Sequence, residues 1–272
     1  MSETAPDFAA IKTKQQGAWS TGNYAVVGTT LQIVGEELCE ALDLRSGSRV
    51  LDVAAGNGNV TLAAARRFCD VTSTDYVPSL LESGKKRAEA EGFEVKFQEA
   101  DAENLPFGDA AFDVVVSTFG VMFTPDQFKS ASELARVCKP GGKIGLANWT
   151  PEGLIGQLFK TIGKYLPPPA GVKSGALWGT EAHLNQLFAN TGNVKVTKKF
   201  FNFRYKSAAH FIEIFRTFYG PMNKTFAALA SDQAKQDAFA SDLKGLLDSG
   251  NKAGDSSLVV PSEYLEVVIE RR

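Results

Sequence analysis

The chain has 272 residues, of which 44% are hydrophobic and 22% charged, an ordinary composition for a globular protein with a sizeable core. Its formal net charge of −2 provides no basic field for nucleic acid, so a nucleic-acid-binding function is disfavoured. No apolar run has the length of a signal peptide or a membrane span, and the three cysteines lack metal-ligand spacing. We therefore expect a cytoplasmic protein with buried thiols, without membrane contact and without a bound metal.

The first 45 residues predict a helical cap. A polar helix candidate is followed by a loop from Trp19 to Tyr24 and then by a helix at about 28–42, where apolar residues recur at helical spacing.

From residue 46 to about 150, short apolar runs alternate with amphipathic stretches. The predicted strands are 50–53, 70–74, 95–97, 112–117 and 143–149. The predicted helices are 59–68, 78–91 and 126–137, the last with Phe128 facing inward. This alternation predicts a parallel, doubly wound sheet with right-handed crossovers.

The remaining residues, 151–272, predict two helices at 153–165 and 180–189 and two long strands at 194–205 and 263–270. Between those strands, residues of about 206–250 have a helical pattern, with Phe211, Phe215 and Phe218 at the spacing of one apolar face. We expect this segment to be a lid whose apolar face lies on the binding edge of the sheet. The expected fold is a single α/β domain over 1–272, with a doubly wound, mostly parallel seven-stranded sheet and a helical lid.

Ligands of open α/β sheets bind beyond the carboxyl ends of the strands, where the strand order reverses. The first strand ends in a glycine-rich turn, Asp52-Val53-Ala54-Ala55-Gly56-Asn57-Gly58, whose small residues allow a ligand to approach the backbone. The second strand ends in Asp75, a position from which a carboxylate can accept hydrogen bonds from both ribose hydroxyls of an adenosine. The third strand leads to Asp101, which can meet an adenine amino group, and the fourth ends at Ser117-Thr118.

The segments that carry these residues resemble successive motifs of the class I S-adenosylmethionine-dependent methyltransferases. They read VLDVAAGNGN, STDYVPSLL, EADAENLPF, FDVVVSTFG and ELARVCKPGGKIGLANW. They are most similar to the branch that includes the ubiquinone and menaquinone biosynthesis methyltransferases (methyltransferase type 11/25). The resemblance is specific over about residues 48–149 and looser afterwards, and Ala54 stands where the usual motif has glycine.

The resemblance implies an enzyme that uses S-adenosylmethionine. Asp52 would orient the glycine-rich turn, Asp75 would hold the ribose, and Tyr76 would lie against the adenine. The residues that it assigns to the cofactor are Asp52, Ala54, Gly56, Gly58, Asp75, Tyr76, Asp101, Ala102, Ser117 and Thr118.

Methyl transfer requires a general base only when the methyl acceptor must lose a proton. His210, at the start of the lid, and Tyr24, in the N-terminal loop, are the candidates; the alternatives are a histidine at the boundary of the apolar face and a tyrosine that packs the loop down. The methyl acceptor is expected to be a small organic molecule, with aromatic and isoprenoid compounds among the candidates.

Two other functions share parts of this pattern. A nicotinamide-dependent dehydrogenase has the same sheet and ribose carboxylate, but Thr61 occupies the third position of its glycine motif and Asp52 is unexpected there. A non-enzymatic regulatory protein that binds S-adenosylmethionine would have the same fold, because fold alone does not fix function.

Overall fold

Seven strands form one sheet in the computed structural model, which describes residues 6–272. Their bounds are β1 (Arg49–Val53), β2 (Asp70–Asp75), β3 (Lys96–Glu99), β4 (Phe112–Thr118), β5 (Cys138–Trp149), β6 (Gly192–Tyr205) and β7 (Leu258–Arg271). The order is β3-β2-β1-β4-β5-β7-β6, with β1 to β5 parallel and β7 antiparallel to both of its neighbours. The predicted doubly wound, mostly parallel seven-stranded sheet is confirmed, and its strand order reverses between β1 and β4.

Helices connect and flank these strands. Their bounds are α1 (Phe8–Trp19), α2 (Ala25–Gly28), α3 (Gln32–Leu42), α4 (Asn59–Ala65), α5 (Pro78–Glu91), α6 (Gln127–Val137), α7 (Leu154–Tyr165), α8 (Glu181–Leu187), α9 (Ala208–Phe218), α10 (Gly220–Ala228) and α11 (Gln233–Gly250). Helix α5 shows how local sequence sets these bounds, because Pro78 starts it and Gly92 ends it with a left-handed φ of 75°.

The centre of the sheet is buried on both faces. Val50 and Leu51 of β1 and Val115 and Val116 of β4 are fully buried, as expected for parallel strands covered by helices. Each such side chain stabilises the fold by roughly 1.5–3 kcal/mol. All three cysteines are buried free thiols, as predicted.

The prediction that Phe128 faces inward is wrong. Its side chain is 47% exposed, and the ammonium of Lys173 lies 5.1 Å from the centre of its ring. The buried face of α6 contains Gln127, Ala131 and Leu134 at the spacing i, i+4, i+7, which turns residue 128 away from the core.

The segment 206–250 folds into α9, α10 and α11 and packs against the N-terminal cap. Lys224 Nζ donates a hydrogen bond to the carbonyl of Lys14 in α1, and Tyr219 makes an edge contact with Trp19, with ring centres 5.6 Å apart. The apolar face of α9 lies on β6, where the rings of Phe211 and Phe215 are about 6 Å from Phe203. This differs from the expectation that the apolar face would lie directly on the binding edge of the sheet.

Candidate active site

A cleft opens at the carboxyl ends of β1 to β4, at the point where the strand order reverses. Its unfilled space, including the part open to solvent, amounts to about 890 Å³. The walls come from the four strand ends and from the N-terminal cap. The residues that line it include Lys12, Gln15, Trp19, Tyr24, Ala54, Gly56, Asn57, Asp75, Tyr76, Asp101, Ala102, Thr118, Phe119, Gly120 and Phe123.

The glycine-rich turn after β1 is bound to Asp75 at the end of β2. Gly56 N donates to Asp75 Oδ2 at 2.9 Å, and Val77 N donates to Asp75 Oδ1 at 2.9 Å. Gly56 has a φ of 57°, in the left-handed region that glycine adopts without strain. Burial raises the pKa of Asp75 to about 6, even though the backbone N–H groups favour its charged form.

Asp52 lies beneath the turn and is not among the residues that line the cleft. It is fully buried, and its Oδ2 accepts a hydrogen bond from Thr61 Oγ1 at 2.5 Å. Its Oδ1 has no hydrogen-bond partner within residues 6–272. Burial raises the pKa of Asp52 to about 7. Through Thr61, Asp52 therefore ties the first turn of α4 to the end of β1.

Ala54, the departure from the glycine of the usual motif, adopts a left-handed φ of 53°. That conformation is strained for alanine. Gly120 lies directly against it: a Cβ at position 120 would be 2.1 Å from the carbonyl oxygen of Ala54. The strand ends of β1 and β4 therefore approach too closely for a side chain at position 120.

Asp101 follows β3, and each of its carboxylate oxygens is bound by another group of the protein. Oδ1 accepts from Glu103 N at 2.9 Å, and Oδ2 lies 2.6 Å from Lys12 Nζ of α1. Lys12 also lies 3.0 Å from Glu103 Oε2. Burial lowers the pKa of Lys12, but the two carboxylates more than offset this and raise it, so Lys12 is a cation.

Further side chains of α1 bridge the cleft. Gln15 Nε2 donates to the carbonyl of Phe123 at 3.1 Å, and Gln16 Nε2 donates to the carbonyl of Tyr76 at 2.5 Å. Trp19 packs edge-on against Phe123 and Tyr24, with ring centres 4.9 and 5.6 Å apart. The helix thus forms the outer wall of the cleft.

Sequence reasoning missed Lys12 and Gln15. Helix α1 is polar and carries no motif, a pattern typical of a solvent-exposed surface. In this part of the sequence, only the loop from Trp19 to Tyr24 indicated a role in binding. Sequence reasoning also missed Asn57, a neighbour of the predicted glycines, which lines the cleft with a buried side-chain nitrogen that has no partner within residues 6–272.

Eight of the residues singled out from the sequence line the cleft: Tyr24, Ala54, Gly56, Asp75, Tyr76, Asp101, Ala102 and Thr118. Besides Asp52, three others do not. Gly58 precedes α4 with a φ of 82°, and the hydroxyl of Ser117 accepts a hydrogen bond from Val121 N at 3.1 Å. His210 accepts a hydrogen bond from Lys206 N on its Nδ1 and packs beside Tyr205, outside the cleft lining. Burial raises the pKa of Tyr24 to about 12, with the charge of Asp75 acting in the same direction.

Comparison with known proteins identifies the family. Residues 51–146 match the family model described as a methyltransferase domain. An uncharacterised protein of Mycobacterium tuberculosis is 38% identical over 259 residues, which is 93% of this chain and 93% of that protein. A demethylmenaquinone methyltransferase of Thermus thermophilus is 37% identical over 143 residues, 50% of this chain and 65% of the relative.

The solved structures agree on the fold. The YcgJ protein of Bacillus subtilis superimposes with a TM-score of 0.60 at 22% identity, covering 90% of this chain and 99% of that one. Within residues 6–272, no helix combines the length and the apolar character that a membrane span requires. The family match favours a methyltransferase over both the dehydrogenase and the non-enzymatic binding protein. The chain therefore belongs to the class I S-adenosylmethionine-dependent methyltransferases, enzymes whose cofactor is S-adenosylmethionine.

Proposed function

We propose that this enzyme transfers the methyl group of S-adenosylmethionine to a small, largely apolar organic molecule by in-line displacement. The observation that carries the proposal is that one cleft is lined by two different sets of side chains. Asp75 and Asp101 supply carboxylates, whereas Trp19, Phe119 and Phe123, which we call the aromatic wall, supply rings. The carboxylates suit an adenosine, and the aromatic wall suits an apolar methyl acceptor.

Unsatisfied polar groups in the cleft support the fit of the cofactor. Each carboxylate oxygen of Asp75 accepts one backbone N–H group and retains a free lone pair for a ribose hydroxyl. The buried Nδ2 of Asn57 has no acceptor within residues 6–272 and would suit the carboxylate of the amino-acid end of the cofactor. Buried polar groups are normally hydrogen-bonded, so such free positions indicate a polar ligand.

We assign the cofactor contacts on this basis. Asp75 would bind the ribose diol, Tyr76 would lie against the adenine, and Asp101 with Ala102 would meet the adenine edge. Gly56 would bring its backbone close to the amino-acid end of the cofactor, and Thr118 would lie near the reacting methyl group. Asp52, Gly58 and Ser117 would act indirectly by fixing the turns that carry these contacts.

The cofactor, when bound, supplies a methyl group already activated by a sulfonium centre. The protein therefore has to hold the methyl acceptor in line and exclude water, and alignment of this kind can contribute roughly 7–11 kcal/mol toward the barrier. The raised pKa of Tyr24 keeps its hydroxyl protonated at neutral pH, which makes it a hydrogen-bond donor rather than a base. His210 lies outside the cleft lining, and we do not assign it a catalytic role.

The aromatic wall and the relatives support an aromatic or isoprenoid methyl acceptor. Demethylmenaquinone, which gives the Thermus relative its name, is one compound of this kind, although that match covers half of the chain. The buried free thiols of Cys39, Cys69 and Cys138 support a reducing compartment, and we propose the cytoplasm.

An acceptor screen with cofactor carrying an isotopically labelled methyl group tests the proposal. Purified enzyme would be incubated with a panel of aromatic, isoprenoid and polar small molecules, and label transfer would be read by mass spectrometry. We expect transfer to apolar ring-bearing or isoprenoid compounds. Transfer confined to polar acceptors such as amino acids would contradict the assignment of the aromatic wall.

A further inference from the structure

One side-chain oxygen in the outer wall of the cleft has no hydrogen-bond donor. Gln15 of α1 lines the cleft, and its Oε1 is inaccessible to solvent and unpartnered within residues 6–272. The two ends of this amide cannot be exchanged, because Nε2 donates to the carbonyl oxygen of Phe123 at 3.1 Å and a carbonyl can only accept. Oε1 is therefore a fixed acceptor, and buried acceptors normally have a donor, so this one indicates a ligand.

The neighbours of Gln15 on α1 reach residues assigned to the adenine. Lys12, three residues earlier on the same face of the helix, has its Nζ 2.6 Å from Asp101 Oδ2. Gln16, the next residue, donates from Nε2 to the carbonyl of Tyr76 at 2.5 Å. Because Gln15 stands between Lys12 and Gln16 in the helix, it belongs to the adenine end of the cleft.

The partner of Gln15 is joined to the same end. Phe123 lies in the short segment after β4, and Asp126 N of that segment donates to Glu103 Oε1 at 2.8 Å. Glu103 belongs to the turn after β3. The backbone carbonyl of Phe123 therefore holds Gln15 over the junction between that turn and the segment after β4, whereas the ring of Phe123 packs on Trp19.

The ligand assigned to this end carries a suitable donor. The 6-amino group of adenine has two N–H groups, and both lose water when the cleft encloses them. Each oxygen of Asp101 already accepts one bond and keeps one lone pair, so this carboxylate can take one of the two N–H groups. The second needs another acceptor, and Gln15 Oε1 is an unpartnered acceptor in this part of the cleft.

We propose that Gln15 accepts a hydrogen bond from the 6-amino group of the cofactor and thereby helps the enzyme to select adenine over purines that lack this group. The inference rests on the placement of the adenine at Asp101 that is proposed above. It gives α1, a helix without a motif, a direct part in recognising the cofactor.

Calorimetry with two ligands tests the proposal. One is S-adenosylhomocysteine, and the other is its 6-deamino analogue, in which hydrogen replaces the amino group and the rest of the molecule is unchanged. We compare the ratio of the two dissociation constants, because a general loosening of the cleft weakens both ligands alike. Wild-type enzyme should bind the parent at least tenfold more tightly, since two hydrogen bonds are lost with the amino group. A ratio below twofold would overturn the proposal.

Gln15→Met keeps the length of the side chain and removes the acceptor. The ratio should fall about fivefold, the usual effect of one hydrogen bond between uncharged groups. Gln16→Met is the matched control: it makes the same change on the next residue of α1 and also breaks a bond to a backbone carbonyl, but Gln16 is not among the residues that line the cleft. Its ratio should equal that of wild type.

Two results with these variants would contradict the proposal. A wild-type ratio in Gln15→Met would show that Gln15 only ties α1 to Phe123. An equal fall of the ratio in Gln15→Met and Gln16→Met would show that the effect comes from the position of the helix and not from the Gln15 oxygen.

Asp101→Ala separates this proposal from the placement of the adenine. A lower ratio in Asp101→Ala together with an unchanged ratio in Gln15→Met would leave the adenine at Asp101 and remove Gln15 from its recognition. If neither variant changes the ratio, the adenine lies elsewhere, and the proposed placement fails together with this inference. Wild-type enzyme that binds neither ligand would contradict the cofactor site itself.

Discussion

Lys12 Nζ lies 2.6 Å from Asp101 Oδ2, so a helix from the N-terminal cap is ion-paired to the strand end assigned to the adenine. The same ammonium lies 3.0 Å from Glu103 Oε2. Helix α1 has a single buried residue, Ile11, and is joined to the cleft by polar contacts and by the ring of Trp19. The outer wall of the cleft is therefore held in part by ionic interactions that salt can weaken.

Lys12→Ala should loosen this wall. A partly exposed ion pair stabilises by up to about 1 kcal/mol, which corresponds to roughly a fivefold change in an opening equilibrium. Hydrogen exchange of the α1 amides, measured by mass spectrometry at low salt, should be about fivefold faster than in wild type. Lys14→Ala is the control, because the Lys14 side chain is exposed on the same helix. Equal protection in both variants would contradict the role of Lys12.

Asp75→Asn should weaken cofactor binding. The substitution removes a charge and leaves one oxygen where Gly56, Val77 and a ribose diol all require an acceptor. Loss of a hydrogen bond to a charged group costs about 1.5–3 kcal/mol, so the dissociation constant should rise tenfold or more. Calorimetry with S-adenosylhomocysteine measures this. Asp113→Asn, at the opposite end of the sheet, should bind normally, and equal affinities in all three proteins would place the ribose elsewhere.

Asp52→Asn should stabilise the protein above neutral pH. Because burial raises the pKa of folded Asp52 to about 7, above an unfolded value of about 3.9, the folded state binds its proton more tightly. Stability from this group is present below about pH 4 and is lost as the pH rises through about 7. From pH 4.5 to 7.5, the free energy of unfolding of wild type should fall relative to the variant by roughly 2–4 kcal/mol. Chemical denaturation measures this free energy. Parallel pH profiles for wild type and variant would contradict the raised pKa of Asp52.

Ala54→Gly should stabilise the fold by up to about 1 kcal/mol, because glycine adopts the left-handed φ of 53° without strain. Gly120→Ala tests the same contact from the other side. Its new Cβ would lie 2.1 Å from the carbonyl oxygen of Ala54, so the melting temperature should drop sharply. Gly108→Ala, where a Cβ meets nothing within 4 Å, should change it little. Melting temperatures of all three variants show whether the contact between positions 54 and 120 is strained.

The sheet and the family were predictable from the sequence because buried parallel strands appear as short apolar runs with their functional residues at one end. Asp75 ends β2 and Thr118 ends β4, as the motifs indicated. The class I methyltransferase resemblance is confirmed by the family match over residues 51–146. The roles of the individual site residues stay predictions.

The outer wall of the cleft was harder to predict. Lys12 and Gln15 act through partners more than eighty residues away in sequence, and nothing in a polar helix specifies such contacts. The segment 206–250 shows the complementary difficulty: its apolar spacing predicted burial correctly, but the surface that buries it, around Phe203, follows from tertiary packing. Periodicity indicates which face is buried and not what buries it.

Strand β6 ends the sheet, and among the described residues it pairs with β7 alone. A long strand with one open edge is a template for pairing with a second chain and for aggregation. Lys195 is exposed on this edge strand, whereas Lys198 and Lys199 are ion-paired to carboxylates of the neighbouring elements. We expect the lysines to disfavour antiparallel pairing with a second copy, because like charges would then meet, and this effect should weaken as salt screens them.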